Sequence, residues 1–259
     1  MSQVDNTIVY SDDFYIHRDI NTYNHRWNLD LDKKFINKMF GVKMHLGHQT
    51  KDWHPNMELY IRAKRENDHI INLVDTLFCL EKAARLLTLS ASQGKQILFV
   101  GTKRQATNWI QRAAASCDSL FVNQKWLGGT LTNWKKIQRS LTKLKNLEVL
   151  EENGELARLE KKQIAAYKRE KDRLSKHVGG LKTMSTLPDI IIIVGQPEEL
   201  NAIHECRKLG IKTITVVDTD CDPLLADIII PSNDDSTKSL AFILTRLVTS
   251  IKRGQQKFL

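Results

Sequence analysis

Five consecutive β-branched residues, Ile190-Ile191-Ile192-Ile193-Val194, constrain the fold of this chain more than any other feature. A strand with one wet face alternates apolar and polar side chains, so an unbroken run signals a strand buried on both faces. Such strands belong to parallel sheets covered by helices on either side. The surrounding pattern agrees. Further apolar runs at Ile70–Val74, Gln96–Val100, Leu120–Val122, Lys212–Val217 and Asp227–Ile230 read as strands, and the five-residue run itself as a strand over Asp189–Val194. Between them, Leu77–Leu89, Ala106–Ala115, Glu198–Leu209 and Thr237–Ile251 read as helices. Leu77, Leu80, Ala84 and Leu87 share one helical face, and Gly210 closes the third helix. The expected fold is α/β, a doubly wound parallel sheet.

One segment departs from that alternation. Trp134, Ile137, Leu141, Leu144 and Leu147 form one apolar helical stripe, and Glu152-Asn153-Gly154 interrupts it. A second stripe runs through Leu156, Leu159, Tyr167, Leu174, Val178 and Leu181. The spacing predicts an inserted helical hairpin over 134–182, antiparallel, coiled-coil-like and projecting from the sheet. From Lys135 to Lys182 there are fourteen Lys plus Arg against seven Asp plus Glu, so +7 of the chain's net +9 lies here. Pairing along a solvated helix uses some of these charges. The excess of one sign goes beyond what pairing needs, and RNA contact is expected for part of the hairpin or its base.

Composition fits this picture. With 259 residues, 41% hydrophobic and 27% charged, the chain suits one large globular domain or a domain carrying an insertion. A pI of about 9.3 points to a polyanionic partner, nucleic acid before an acidic membrane surface. No apolar run approaches the roughly 20 residues that cross a bilayer. Cys79, Cys117, Cys206 and Cys221 form no CxxC pair and read as reduced thiols of a reducing compartment. Residues 1–38 read as an N-terminal extension, partly disordered alone and ordered by a partner, ahead of a domain over 39–259. Met1 to Ile20 have no basic start and no apolar core, and carry Asp5, Asp12, Asp13 and Asp19, unlike a targeting peptide. On that reading the chain is made where it works or is already processed.

Four motifs carry the candidate chemistry. Leu98-Phe99-Val100-Gly101-Thr102-Lys103-Arg104 runs from strand through a glycine turn to a cationic helix start, where α/β proteins can hold phosphate. No Walker A loop and no GxGxxG exists, so a tight turn, or Lys103 and Arg104 on an RNA backbone, is preferred to a nucleotide site. Asn123 to Trp134 holds two tryptophans and Gly128-Gly129. Lys125 with Trp126 is read either as a stacking surface or as part of a buried loop, and Trp134 as a packing anchor. His45, His48 and His54 lack a fourth zinc ligand, and their loop, with Gln49, Lys51 and Trp53, is read as touching RNA or a neighbouring protein. Asp218, Asp220 and Asp222 follow a strand, and Asn233, Asp234 and Asp235 precede the last helix. With no His or Lys nearby in sequence to complete a nucleophile set, these are expected to cap turns and the final helix.

Together these stretches resemble one family, the second protein of the small ribosomal subunit in its bacterial and organellar form. The resemblance rests on Gly47-His48-Gln49-Thr50, Trp53-His54-Pro55-Asn56-Met57, His69 to Leu73, Phe99 to Lys103, Trp126-Leu127-Gly128-Gly129, Leu131 to Trp134 and Gly179 to Lys182. Leu187-Pro188-Asp189, Val217 to Asp220 and Ile230 to Asp235 complete it, in the family's order. The usual Gly-Gly before Leu-Pro-Asp is here Ser185-Thr186. The resemblance implies a flavodoxin-like sheet with an inserted coiled-coil hairpin and a structural role without catalysis, cofactor, metal or small-molecule substrate. Small-subunit ribosomal RNA and neighbouring ribosomal proteins are the implied partners. Trp27 to Leu31, Leu225 to Ile228 and Phe242 to Leu244 look plastid-like, so a plastid ribosome is expected ahead of a mitochondrial or bacterial one. The candidate RNA-binding residues are His48, Gln49, Lys51, Trp53, Lys103, Arg104, Lys125, Trp126, Lys135, Lys136, Arg139 and Lys182. The competing readings are a nucleotide- or phosphate-using α/β enzyme and an RNA-binding regulator outside the ribosome.

Overall fold

The computed structural model describes residues 29–154 and 160–258. From Ile36 on, the described chain forms one compact unit. Most of the expected N-terminal extension, and the stripe residues Leu156 and Leu159, lie outside the described residues. In chain order, helix α1 (Leu29–Gly41) is followed by strands β1 (Leu46–Gln49), β2 (Ile61–Arg65) and β3 (Asp68–Ile71). Next come α2 (Leu73–Ala91), β4 (Ile97–Val100), α3 (Thr107–Ser116) and β5 (Leu120–Val122). Helices α4 (Trp134–Glu152) and α5 (Lys161–Val178) precede β6 (Ile190–Val194), α6 (Leu200–Leu209), β7 (Lys212–Val217), β8 (Ile228–Pro231) and α7 (Thr237–Phe258).

The parallel sheet is ordered β5-β4-β6-β7-β8, so the chain reverses its direction of travel between β4 and β6. Register pairs such as Phe99 with Ile192 and Ile192 with Ile214 align the apolar runs across it. Every residue of β4 and β6 is buried, as an unalternating run requires. On one face Leu98, Val100, Ile191 and Ile193 share a buried cluster with Ala202, Ile203 and Cys206 of α6 and with Ile137, Leu144, Leu147, Leu174 and Val178 of α4 and α5. Helices α2 and α7 pack against each other, with α2 on β8 and α3 on β4 and β5. This is a doubly wound α/β fold. The two helices expected after Trp134 are present and in contact, and Leu144, on the first stripe, is fully buried.

Three expectations need correction. Ile70–Val74 is not one strand. β3 ends at Ile71, because the Asn72 side chain accepts from the Val74 amide and starts α2. The loop expected around His45–His54 contains β1, which with β2 flanks β3 in an antiparallel sheet. The final helix continues to Phe258, beyond Ile251.

Candidate nucleic-acid interface

The loops that leave β4, β7 and β8 meet at the carboxyl end of the sheet, where open α/β folds place their sites. Asp218, Asp220, Asp234 and Asp235 converge there with two cations from distant segments. His48 of β1 puts Nδ1 3.2 Å from Asp218 and 3.8 Å from Asp220, and Nε2 3.5 Å from Asp235. Lys103, after β4, puts Nζ 2.5 Å from Asp234 and 2.7 Å from Asp235. Backbone contacts seat β1 on this edge. The His48 amide donates to Thr219 Oγ1 (2.8 Å), the His54 amide to the Thr219 carbonyl (2.7 Å) and the Asn233 amide to the Met44 carbonyl (3.1 Å). Gly47 is required here, since a Cβ would stand 2.5 Å from Thr219 Cγ2.

The electrostatics follow from that geometry. The adjacent Asp218 carboxylate outweighs burial at His48 and, with Asp220 and Asp235, raises its imidazole to about 9. Burial and the neighbouring Asp218 push Asp234 up to about 7 despite Lys103. Burial acts to lower Lys103, but Asp234 and Asp235 prevail and hold it as an ammonium. Asp218 is held in place by hydrogen bonds from the Thr219 amide (2.6 Å) and the Asp234 amide (3.1 Å). His48, Asp234 and Asp235 each offer one ligand atom within 4.8 Å of the others, the one such set among the described residues. A metal ion there would meet the Lys103 ammonium already seated on both carboxylates. Because the folded His48 value lies above the unfolded one, its contribution to stability is complete below about pH 6.5 and is lost as pH rises through about 9. The His48 ring protons should therefore titrate near 9 in solution NMR, and His48→Gln should flatten the stability profile between those limits. A midpoint near 6.5 would show that the ion pairs do not form.

The turn that would offer N–H groups to a phosphate is also occupied. The Thr102 amide donates to Glu199 Oε1 (2.8 Å), and Glu199 is fully buried, its carboxyl raised chiefly by that burial. Asp222 caps its turn through the Leu224 amide, as expected. Asp234 and Asp235 do not cap the last helix. Ser236 accepts from the Ser239 amide and Asn233 from the amides of Asp235 and Ser236, which frees both carboxylates for Lys103 and His48.

The loop after β5 is organised by a residue that the sequence reading missed. Glu205, on the inward face of α6, accepts from the Trp126 indole N–H (3.0 Å) and the Gly129 amide (2.8 Å) through Oε1. Its Oε2 accepts from the amides of Leu131 (2.9 Å) and Thr132 (3.0 Å) and from the Thr132 hydroxyl (3.1 Å). Burial raises the Glu205 carboxyl, but these donors outweigh it and hold the group below its ordinary value. Gly129 adopts φ +86°, a conformation that favours glycine. The only hint in sequence is an acid set between Ile203 and Cys206 on an apolar stripe.

The structure thus sorts the twelve candidates. His48 and Lys103 are joined through Asp235 and committed to carboxylates. Trp126 is buried as an anchor, and Trp53 is half-buried, its ring 5.2 Å from His69. Lys182 lies between α5 and β6 and pairs with Glu148. Lys143 and Arg173 pair with Glu170, and Lys171 with Glu151. Such exposed pairs are screened by solvent and add little to stability. Gln49, Lys51, Arg104, Lys125, Lys135, Lys136 and Arg139 are exposed. Arg62, Lys64 and Arg65, exposed on β2, were not singled out in sequence.

The family described as Ribosomal protein S2 matches residues 39–254. The chain belongs to the ribosomal protein S2 family. It is 50% identical over 226 residues to the small ribosomal subunit protein uS2c of Oltmannsiellopsis viridis, covering 87% of this chain and 95% of that one. It is 47% identical over 221 residues to uS2c of Mesostigma viride, covering 85% and 97%. Against uS2 of the bacterium Rippkaea orientalis the identity is 49% over 212 residues, covering 82% and 79%. The Trp126–Trp134 block and the carboxyl-edge aspartates both fall within the matched span.

Proposed function

We propose that this protein holds small-subunit ribosomal RNA and neighbouring ribosomal proteins in the plastid ribosome, without turnover. As a member of its family it is a structural constituent of the small ribosomal subunit, and relatives named uS2c support the plastid setting. The observation that carries the reading is the base of the basic insertion. Lys135, Lys136 and Arg139 are exposed at the start of α4, as is Lys125 in the loop before it, and no ion pair among the described residues takes them. Exposed cations on a rigid support position phosphates, and counterion release supplies affinity. We read α4 and α5 as a coiled-coil hairpin, with Arg104, Gln49, Lys51 and Trp53 as further contacts. Residues 1–38 act in this reading as an extension docked on a neighbouring protein, ahead of the 39–259 domain. No helix among the described residues is long and apolar enough to cross a membrane.

Against a nucleotide-using enzyme stands the occupancy of the switch-point turn. Glu199 takes the Thr102 amide and two aspartates take Lys103, leaving an incoming phosphate to compete with three carboxylates. In sedimented plastid extract the protein should travel with small subunits. A protein confined to the soluble fraction would refute the proposal. Saturating ATP or GTP should leave its melting temperature unchanged, whereas a rise would favour the enzyme.

A further inference from the structure

We infer that Glu205 is a positioning residue. Its carboxylate sets the Trp126–Thr132 turn in the shape that presents Lys125, Lys135 and Lys136 to an RNA backbone, an inference that rests on the RNA reading above. Four residues of one turn converge on a single buried side chain 73 to 79 positions away. A carboxylate has two acceptor oxygens and no donor, so it suits five inward-pointing N–H and O–H groups. A glutamine of the same shape offers one acceptor and points an NH₂ group at two or three of those donors. The turn also sets the start of α4. Asn133, at the helix N-cap, makes no side-chain cap, while its amide donates to the Gly129 carbonyl (2.8 Å) and its carbonyl accepts from the Lys136 amide (3.0 Å). The first turn of α4, with Lys135 and Lys136, is therefore registered by the loop, and the loop by Glu205. With its donors turned inward and Trp126 buried, the turn leaves Gln124, Lys125, Thr132 and Asn133 exposed.

The test uses the full-length protein and, as the probe, small ribosomal subunits washed free of it. In Glu205→Gln the amides of Gly129, Leu131 and Thr132 should exchange at least about tenfold faster. Subunit affinity should fall about tenfold, and the slope of log affinity against log salt should flatten by up to about three, one for each of Lys125, Lys135 and Lys136 displaced from a phosphate. Both are measured well below the melting transition. Trp126→Phe removes the indole N–H bond together with part of a buried ring, leaves the other four donors to Glu205 in place, and should give the same changes to a smaller extent, which keeps the test open if Glu205→Gln does not fold. A folded Glu205→Gln or Trp126→Phe whose turn loosens while affinity and salt slope stay at wild-type values overturns the inference, leaving Glu205 a structural residue. A Lys125→Ala, Lys135→Ala, Lys136→Ala variant, its turn intact, addresses the RNA reading separately. Loss of association there supports that reading whatever Glu205 does, and full association defeats both.

Discussion

Gly254→Ala should melt roughly 5–12 °C below the wild type, the equivalent of about 2–4 kcal/mol for a domain of this size. Helix propensity predicts the opposite sign, since alanine inside a helix gains about 0.5–1 kcal/mol over glycine. Gly254 lies within α7 where that helix crosses the end of α2. A Cβ there would stand 2.3 Å from the Thr88 carbonyl oxygen, 2.7 Å from Ala91 Cβ and 3.1 Å from the Ser92 amide. Two of these atoms are backbone and cannot rotate away, so the helices must separate. Separation would also break the hydrogen bond from Thr88 Oγ1 to the Ser250 carbonyl (3.1 Å). Gly41→Ala is the control, because a Cβ there meets nothing within 4 Å. Calorimetry of both variants decides the matter. A Gly254→Ala protein as stable as the wild type would mean that α2 and α7 lie farther apart than described.

Reversing the charge of Lys135, Lys136 and Arg139 together should weaken association with small subunits on the order of 100-fold and flatten the salt dependence by about three. All three side chains are exposed, so the melting temperature should barely change. That separates loss of binding from loss of fold. Cosedimentation across a salt series measures affinity and slope at once. Wild-type values for both would show that this end of α4 is only a solvated helix face. Lys143, Lys171 and Lys182 are poor choices for the same experiment, because each already neutralises a glutamate on the helix pair.

Whatever depends on local periodicity was legible in the sequence. The unalternating run in β6 announced a buried parallel strand, and the stripe from Trp134 to Leu147 announced α4, because burial selects side chains at the period of the element. The strands β1 and β2 were not legible. Their burial is partial, β2 is mostly exposed, and β1 gains its place by docking on Thr219. The aspartates after β7 and before α7 looked like caps because their partners, His48 and Lys103, lie more than 100 residues away in sequence.

The charge excess of the insertion and the family motifs were set by sequence alone, since both are sums or strings along the chain. Which cations remain free was decided only by the tertiary structure. Lys103 and His48 have no carboxylate partner near them in sequence, and only the sheet brings Asp234, Asp235 and Asp218 beside them; the Trp126 indole N–H likewise meets Glu205 only in the fold. The physical reason is the same in each case. A buried or half-buried charge must be paired, and its partner is chosen by the approach of distant segments, which no local pattern records.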